Sequence, residues 1–377
     1  MQFYGTDMKY FEEKGCPNTA REIAHQPDMW RNLIPVMNEN RQKINDFMDK
    51  AGKGPVRCIM TGAGSSGFVG RAVAGFVSKE GGIFPEAIHT TDIVSAPEAH
   101  LAPDIPTILV SFARSGNSPE SVGAVEYARK IVKNLYEVSI VCDGESKLAK
   151  NTNGLVLVMP KGTNDKAFAM TSSVSTMMLA GYSLFCRNDF DKISNDITAL
   201  ADEVEKNSLR MDEAAKTCAK WGFERAWYLA SGPFAALAQE GALKMMELTN
   251  GAVVAGSNSA TEFRHGPKTV LNPKTLTVHF ISGDPFTAKY DLDLLNELYR
   301  ERDGNKVVAI AKDAQADLLV PYSPGREICV GIQGLVIMQL LSMYTSIELG
   351  VRSDNPSPSG LVNRVVQGVT VYPYREV

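Results

Sequence analysis

The sequence predicts an α/β protein that contains two consecutive parallel β-sheets, each flanked by helices. From about residue 55 onward, short apolar segments alternate with amphipathic helical segments. This alternation is typical of a parallel sheet with helices on both faces. The same order of segments returns in the second half of the chain. With 377 residues, the chain is long enough to form two domains.

The elements of the first half follow one another in a clear order. The first 45 residues place apolar side chains at helical spacing, and we predict helices there. Strands are then predicted over residues 56–60, 86–91, 107–112, 137–143 and 154–160. Helices are predicted after the first and the third of these strands. A long helix over residues 171–185 closes this half.

The second half repeats these elements. Strand segments are predicted within residues 226–232, 275–285, 306–313 and 316–322, and helices over 234–248, 288–302 and 328–347. Aligning Gly64 with Gly232, Ile108 with Thr277 and Ile140 with Val308 gives offsets of 168, 169 and 168 residues. We therefore predict a tandem duplication joined by the charged helical segment 189–220. The predicted parts are a helical segment (1–45), a first domain (46–200), a second domain (210–360) and a tail (361–377).

Composition limits the class of protein. The net charge is −4 and no basic cluster is present, so we expect neither nucleic acid nor an anionic membrane surface as a partner. The six cysteines are scattered without a CxxC pair, which indicates a reducing compartment and argues against structural zinc. We expect no metal and no other cofactor. The N-terminal sequence MQFYGTDMKYFEEKG has no apolar core, and the most apolar stretch, 328–349, carries polar residues that include Gln333, Gln339, Ser342 and Ser346. We therefore predict a cytoplasmic protein in which this stretch is a buried helix.

A loop rich in hydroxyl groups follows the predicted strand 107–112. It reads SFARSGNSPES and ends in the first turn of a helix, at Pro119 and Glu120. Hydroxyls, backbone N–H groups and the positive end of a helix dipole favour one bound anion. The predicted phosphate ligands here are Arg114, Ser115, Asn117 and Ser118. The alternative is an ordinary polar loop with a serine N-cap.

A second loop, GAGSSG over residues 62–67, follows the first predicted strand of this half. It matches the GxGxxG pattern of dinucleotide-binding folds, and Asp92 lies at a suitable spacing for a ribose contact. Ser65 and Ser66, however, add hydroxyls that this pattern does not need. Because two such loops occur on nearby strands, we favour one compact phosphate over an extended dinucleotide. In the second copy of the serine loop, Asp284 introduces a negative charge that would repel a phosphate.

Candidate catalytic groups lie in the second half. Glu240, Lys244 and Glu247 are spaced i, i+4 and i+7 and so share one helix face. The simplest alternative is a solvated stripe with one salt bridge. This helix starts at the predicted carboxyl edge of the second sheet, where α/β proteins bind ligands. His265 precedes Gly266-Pro267, a pair that favours a tight turn; a lone histidine is otherwise usually structural.

Several motifs together resemble the sugar isomerase (SIS) domain family. They are TGAGSS (61–66), RSGNSPES (114–121), FAMTSS (168–173), EGALKMMEL (240–248), EFRHGP (262–267), YDLDLL (290–295) and VNRVVQGV (362–369). More narrowly, the combination resembles the bacterial double-SIS family described as galactosamine-6-phosphate deaminase/isomerase. The resemblance implies two tandem SIS domains, each a flavodoxin-like three-layer αβα sandwich.

The resemblance also implies roles for individual residues. Glu247 would be the base that moves a proton between C2 and C1, Glu240 would support the substrate, and Lys244 would lie beside them. His265 would open the sugar ring and would come from a neighbouring subunit, which implies a homodimer or a higher homo-oligomer. Further substrate contacts would come from Gly64, Thr171, Ser172 and Arg364.

This chain departs from the wider family at three places, one of which is a slightly longer segment between Glu247 and His265. A family serine and glutamine in the phosphate loop are replaced by Ala113 and Arg114, and Arg114 can supply a bidentate phosphate contact. A family lysine near the substrate falls at Gln367, where Arg364 is the candidate to compensate.

Three functions stay open from the residues alone. The chain would convert a 2-amino-hexose 6-phosphate, galactosamine 6-phosphate, to a ketose 6-phosphate, tagatose 6-phosphate, with release of ammonia. Alternatively, it would interconvert ketose and aldose phosphates without deamination. It could also be a phosphosugar sensor without turnover, although a sensor has no use for a base. The narrow resemblance favours the deaminase.

Overall fold

The computed structural model describes residues 2–366 and 368–374, and the chain packs into two compact units. The first-sheet unit comprises residues 29–165, 172–194 and 362–377, and the second-sheet unit comprises residues 1–28, 166–171 and 195–361. The N-terminal residues thus belong with the second half of the chain, and the C-terminal tail belongs with the first half. The domain boundaries predicted from chain order stay a prediction.

The elements are as follows in chain order. The N-terminal part contains β1 (Gln2–Phe3), β2 (Thr6–Asp7), α1 (Met8–Lys14), α2 (Pro17–Ala24), α3 (Gln26–Glu39) and α4 (Arg41–Ala51). The first sheet and its helices are β3 (Arg57–Thr61), α5 (Ser65–Glu80), β4 (Glu86–Ala87), α6 (Thr90–Ser95), α7 (Pro97–His100), β5 (Thr107–Ala113), α8 (Pro119–Ile131), β6 (Leu135–Val141), α9 (Lys147–Asn151), β7 (Gly154–Val158) and α10 (Ser172–Phe185).

The remaining elements belong to the second half. They are α11 (Phe190–Ala219), β8 (Arg225–Ala230), α12 (Ala235–Leu248), β9 (Val254–Asn258), α13 (Ala260–Phe263), β10 (Thr275–Phe280), α14 (Thr287–Arg300), β11 (Lys306–Ile310), β12 (Leu318–Val320) and α15 (Glu327–Glu348). Short 3-10 turns lie at Arg187–Asp189, Gly232–Phe234 and Pro267–Val270.

Within the described residues, the two large sheets have the same topology. The strand orders are β4-β3-β5-β6-β7 and β9-β8-β10-β11-β12, and all neighbouring strands are parallel. Numbered within each half, both orders are 2-1-3-4-5, the order of flavodoxin-like folds. Arg57 pairs with Thr107, and Arg225 pairs with Thr275, so both members of the pair are displaced by 168 residues (225 − 57 and 275 − 107). The predicted fold of two tandem αβα domains is confirmed.

Helices cover both faces of the first sheet. Every residue of the central strand β5 is buried, as expected for a parallel strand between two helical layers. On one face, Gly70 of α5 lies close to Met60 and Gly181 of α10 lies close to Phe112. On the other face, a cluster of apolar side chains from α6 and α8 packs on β3 and β5; it includes Ile59, Ile93, Leu109, Ala124 and Val125.

The second sheet is covered in the same way. On one face, α12 packs against α15, where Gly241 and Gly334 allow Met338 and Phe280 to approach closely. On the other face, α13 packs against α14 through a cluster that includes Phe263, Leu294 and Leu298. The chain moves from β8 outward to β9 and then back across to β10. Because such crossovers are right-handed, the two connections must lie on opposite faces of the sheet.

Hydrogen bonds explain why the N-terminal residues belong to the second-sheet unit. The Asp354 carboxylate accepts hydrogen bonds from the backbone N–H groups of Asn18 and Thr19, both at 2.8 Å. The Gln26 side-chain amide donates to Gln339 Oε1 of α15 at 2.8 Å. These buried polar contacts join positions more than 300 residues apart in the chain.

Helix α15 is the described helix that is long and apolar enough to cross a membrane, but its most apolar window is entirely buried inside the protein. The length and hydropathy of this helix are therefore explained by its packing against α12 in the core of the second-sheet unit. The prediction of a buried helix over this stretch is confirmed.

His279 provides a test of how burial affects stability. It lies in the fully buried strand β10, and no described residue forms a hydrogen bond with Nε2. Burial lowers the pKa of His279 from 6.5 to about 3. Between these two pH values the unfolded chain binds a proton that the folded chain does not, so stability falls as the pH falls. Between pH 7 and pH 5, the free energy of unfolding should therefore fall by about 2 kcal/mol less in the His279→Leu variant than in the unmodified protein.

Urea unfolding at several pH values measures this difference. The comparison with the unmodified protein isolates His279 from the other groups that titrate in the same range. Equal pH dependence in the two proteins would show that the buried imidazole does not control acid stability.

Candidate active site

The glycine loop joins β3 to α5 in the first-sheet unit. Gly64 is the N-cap of α5 and has φ +54°, a conformation that favours glycine. A Cβ atom on Gly62 would lie 2.5 Å from the backbone carbonyl carbon of Ser66, so the loop closes tightly there. Ser65 and Ser66 form the buried first turn of α5. The N-cap residue of this helix, Gly64, has no side chain that could cap it, so the helix N-terminus is suited to an external anion.

The serine loop joins β5 to α8 in the same unit. Gly116 has φ +60° and lies where a Cβ atom would be 2.3 Å from Ser146 Oγ. Asn117 accepts a hydrogen bond from the Lys147 backbone N–H and donates one to the Ser115 carbonyl, both at 3.0 Å. These contacts fix the loop before any ligand binds.

The first turn of α8 lacks a side-chain cap. Ser118 is the N-cap residue, but its hydroxyl is 2.7 Å from the Ser121 hydroxyl instead of bonding to the helix backbone. Thr61, at the end of β3, pairs with Ser111 of β5, so the glycine and serine loops leave the sheet side by side. This is the point at which the strand order reverses, where open α/β sheets bind ligands.

Two arginines meet beside the serine loop. Arg114 is buried, and its guanidinium donates to the Arg364 carbonyl at 2.7 Å. The Arg364 guanidinium in turn donates to Asn164 Oδ1 at 3.2 Å and to the Asp165 carbonyl. The structure therefore brings Arg114 into contact with the backbone of Arg364. The compensation of a missing lysine by Arg364 stays a prediction. Gln367 itself lies outside the described residues.

Thr171 and Ser172 are both fully buried. The Asp165 carboxylate accepts hydrogen bonds from the backbone N–H groups of Ser172 and Ser173 at 3.0 Å, and so it caps α10 from within the chain. Sequence reasoning missed Asp165, because the seven-residue separation does not match an N-cap pattern. Thr171 belongs to the second-sheet unit, where its carbonyl accepts a hydrogen bond from Gln339 at 3.3 Å.

The second copy of the serine loop contains its own anion. Asp284 Oδ1 accepts hydrogen bonds from the backbone N–H groups of Phe286 and Thr287 at 3.1 and 2.9 Å, and from the Thr287 hydroxyl at 3.0 Å. The start of α14 is thus capped by a carboxylate, whereas the equivalent start of α8 has no side-chain cap. This contrast supports the interpretation that only the first copy is suited to a phosphate.

The three charged residues of α12 form a compact cluster in the second-sheet unit. The side chains of Glu240 and Lys244 are 0% exposed and that of Glu247 is 26% exposed. Lys244 Nζ lies 3.3 Å from Glu240 Oε1 and also bonds to Glu247 Oε2. The cluster is therefore not a solvated stripe. Because Glu247 is partly exposed, it is the member of the cluster that a ligand can reach.

The charge state of the cluster follows from these contacts. Burial alone would lower the pKa of the Lys244 ammonium, but the charges and hydrogen bonds of Glu240 and Glu247 outweigh it, so the pKa of Lys244 is raised. The lysine therefore stays protonated at neutral pH and places a buried positive charge between Glu240 and Glu247.

Glu247 lies at the far end of α12 from the carboxyl edge of the sheet. The helix starts after β8 and runs back, and β9 begins at Val254, only seven residues after Glu247. Val254 pairs with Arg225 at the amino edge. The sequence indicated that α12 starts at the carboxyl edge of the sheet, where α/β proteins bind ligands. This holds for the start of α12, but Glu247 lies near the amino edge.

His265 lies on the opposite face of the same sheet. It is exposed and follows α13, and its neighbour Arg264 bonds to Glu297 and Asp293 of α14. The α12 cluster lies on the face that packs against α15. The sheet separates His265 from Glu247 within one chain, so the structure does not bring these two predicted residues together.

Comparisons with known proteins agree with this architecture. Residues 55–187 match the SIS domain family model. D-galactosamine-6-phosphate deaminase AgaS of Shewanella sp. (strain ANA-3) is 38% identical over 94% of this chain and 92% of its own length. A solved structure from Clostridium novyi NT, proposed to be a tagatose-6-phosphate ketose/aldose isomerase, is 37% identical, has a TM-score of 0.95 and covers 99% of this chain and 100% of its own.

A second solved structure gives the same result. Tagatose-6-phosphate ketose/aldose isomerase from Escherichia coli is 34% identical, has a TM-score of 0.87, and the match covers 95% of this chain and 97% of that one. Both matches cover nearly the whole chain and therefore both of its halves. The chain therefore belongs to the AgaS family of SIS-domain proteins.

Proposed function

We propose that this protein is an amino-sugar phosphate deaminase/isomerase that converts galactosamine 6-phosphate to tagatose 6-phosphate and ammonia. The observation that carries the proposal is the α12 cluster, in which one buried lysine holds two glutamates and only Glu247 is partly exposed. Burying two charged side chains completely is costly unless they are paired. A protein that only senses a sugar phosphate has no need of such a cluster.

The chemistry needs a base at C2 of the open-chain sugar. The Glu247 carboxylate removes the C2 proton and returns it to C1. A second proton passes from the amine nitrogen to O1, so that the aldehyde becomes a hydroxymethyl group and the amine becomes an imine at C2. Water then adds to this imine, and ammonia leaves, which produces the ketose phosphate. Lys244 stays protonated and donates a hydrogen bond to the Glu247 carboxylate, while Glu240 holds the lysine in place.

The phosphate group is assigned to the serine and glycine loops of the first-sheet unit. The start of α8, whose N-cap side chain makes no capping bond, the first turn of α5 and the Arg114 guanidinium supply N–H, hydroxyl and cationic donors. Ser65, Ser66, Ser115 and Ser118 are the proposed hydroxyl donors. This assignment requires no metal ion, since the donors are all groups of the protein.

His265 is assigned to ring opening in a neighbouring subunit. Within one chain the second sheet lies between His265 and Glu247, so a shared site requires a second copy of the chain. Imidazole both donates and accepts protons near neutral pH, as opening of a cyclic sugar requires. We therefore propose a homodimer or a higher homo-oligomer of a cytoplasmic enzyme.

Isomerisation without deamination is the second candidate. The name of the Escherichia coli structural relative, a tagatose-6-phosphate ketose/aldose isomerase, favours it. Both reactions use the same proton transfer and differ only in whether C2 carries an amine. The substrate therefore separates them.

One assay distinguishes these functions. Purified protein is incubated with galactosamine 6-phosphate, and ammonia and ketose phosphate are measured together; glucosamine 6-phosphate and an aldose 6-phosphate serve as comparison substrates. Equal amounts of ammonia and ketose from galactosamine 6-phosphate are expected. Ketose formation from the aldose phosphate alone would favour the isomerase, and binding without any product would favour the sensor.

The Asp284 carboxylate leads to a prediction about stoichiometry. Because it already caps α14, the second sheet should not bind a phosphate there, and calorimetric titration should give one phosphosugar per chain. Asp284→Ser removes the carboxylate and makes the loop more like the first copy. Two sugars bound per unmodified chain would contradict the proposal that only the first copy binds phosphate.

A further inference from the structure

We propose that His89 is a positioning residue that fixes the first turn of α5, and through it the serine hydroxyls of the glycine loop. The inference rests on the proposed phosphate-binding role of that loop. Neither the sequence motifs nor the relatives' names assign a role to His89. It lies two residues after the edge strand β4 and is half-buried beside the loop.

The first support is the close packing of His89 on Gly67. A Cβ atom on Gly67 would lie 2.3 Å from both Cε1 and Nδ1 of the His89 ring. Gly67 is the third residue of α5, directly after Ser65 and Ser66. The last glycine of the GxGxxG pattern is therefore required because an imidazole ring occupies the space of a side chain there.

The second support is that His89 is held firmly against the loop. The residues on either side of it donate backbone hydrogen bonds to the loop strand: Ile88 to the Met60 carbonyl and Thr90 to the Gly62 carbonyl, both at 3.0 Å. The ring also meets Phe68 of α5 edge-on, with centroids 5.4 Å apart. The ring thus contacts two successive residues of the first turn of α5.

The ring acts by its shape and not by its charge. Burial lowers the pKa of His89; the Asp92 carboxylate opposes this effect and Arg71 adds to it. The imidazole is therefore neutral at pH 7. In the part of the chain that the structure describes, neither ring nitrogen forms a hydrogen bond. A neutral aromatic ring without polar contacts is suited to fill space between β4 and α5.

Size-changing variants test this role through KM and kcat for galactosamine 6-phosphate. His89→Ala removes the ring and should raise KM about tenfold, which corresponds to weakening one hydrogen bond to a charged group, while kcat stays unchanged. His89→Phe keeps an aromatic ring and should have nearly the original KM. If His89→Phe is as impaired as His89→Ala, the nitrogens matter and the positioning role is wrong.

A reciprocal pair gives a second, independent readout. Gly67→Ala should raise KM because its methyl group displaces the ring. In the double variant Gly67→Ala/His89→Ala the ring is absent, so the rise in KM should be smaller than the two single effects combined. Some rise remains because the new methyl group also lies 2.9 Å from the Gly62 carbonyl. Gly54→Ala is the matched control, since nothing lies within 4 Å of its Cβ position. Additive losses in the double variant would overturn the proposal.

Two further outcomes separate this inference from the proposed function. If the unmodified protein neither binds nor converts galactosamine 6-phosphate, the proposed function fails, and the inference that rests on it falls with it. If the unmodified protein is active and His89→Ala changes only the melting temperature or only kcat, the proposed function survives and the positioning role is wrong. A rise in KM with kcat unchanged is the expected result, and a fall in Tm from the lost packing of the ring is compatible with it.

Discussion

Glu247→Gln is expected to abolish exchange of the C2 hydrogen of galactosamine 6-phosphate with solvent, while binding of the sugar phosphate persists. Glutamine keeps the shape of the side chain and still hydrogen-bonds to Lys244, but it cannot accept the C2 proton. Removal of a general base typically lowers the rate about 10²–10⁴-fold. Deuterium incorporation from heavy water, followed by NMR, measures the exchange, and calorimetry measures the binding.

Two controls make this test specific. Glu213→Gln changes the same group at an exposed position of α11, and it should leave exchange and turnover unchanged. Glu240→Gln alters a fully buried partner of Lys244 and should lower stability as well as activity, because it disturbs a buried charge pair. Full exchange in Glu247→Gln would defeat the mechanism and leave a phosphosugar sensor as the better explanation.

The sheets could be predicted from the sequence because their signals are local. Each strand is a short apolar run, each helix follows with its own period, and the offset of 168 residues between the copies reappears in the pairing of Arg57 with Thr107 and of Arg225 with Thr275. The negative charge that Asp284 places at the start of α14 could also be identified from the sequence, because a carboxylate caps the helix that directly follows it. Rules of this kind need no knowledge of the three-dimensional neighbours.

Long-range contacts could not be predicted in this way. The binding of Asp354 to Thr19 and of Gln26 to Gln339 joins the two ends of the chain sequence, and no periodicity indicates such partners. The packing of His89 on Gly67 is similar, because the pattern showed that a glycine was present but not which ring required it. The position of Glu247 near the amino edge depended on the direction of α12, which the helix pattern by itself does not specify.

The position of His265 leads to the second large effect. Strand order reverses at β8, so the connection through α13 lies on the face opposite α12. Glu247 and His265 therefore act in one site only if that site is shared by two chains. His265→Asn should strongly impair turnover of the cyclic sugar, and it should impair ammonia release from an open-chain analogue much less, because the analogue needs no ring opening.

Mixing two inactive variants tests the shared site directly. In a hybrid dimer of Glu247→Gln and His265→Asn chains, one site contains both substitutions and the other contains neither. Random exchange of subunits makes about half of the dimers hybrid, so about a quarter of the original activity should return. Mixing Glu247→Gln with Lys244→Met, which alters the same α12 cluster, should restore nothing. If subunit exchange is verified by mass spectrometry and no activity returns, His265 does not complete the site of a neighbouring chain.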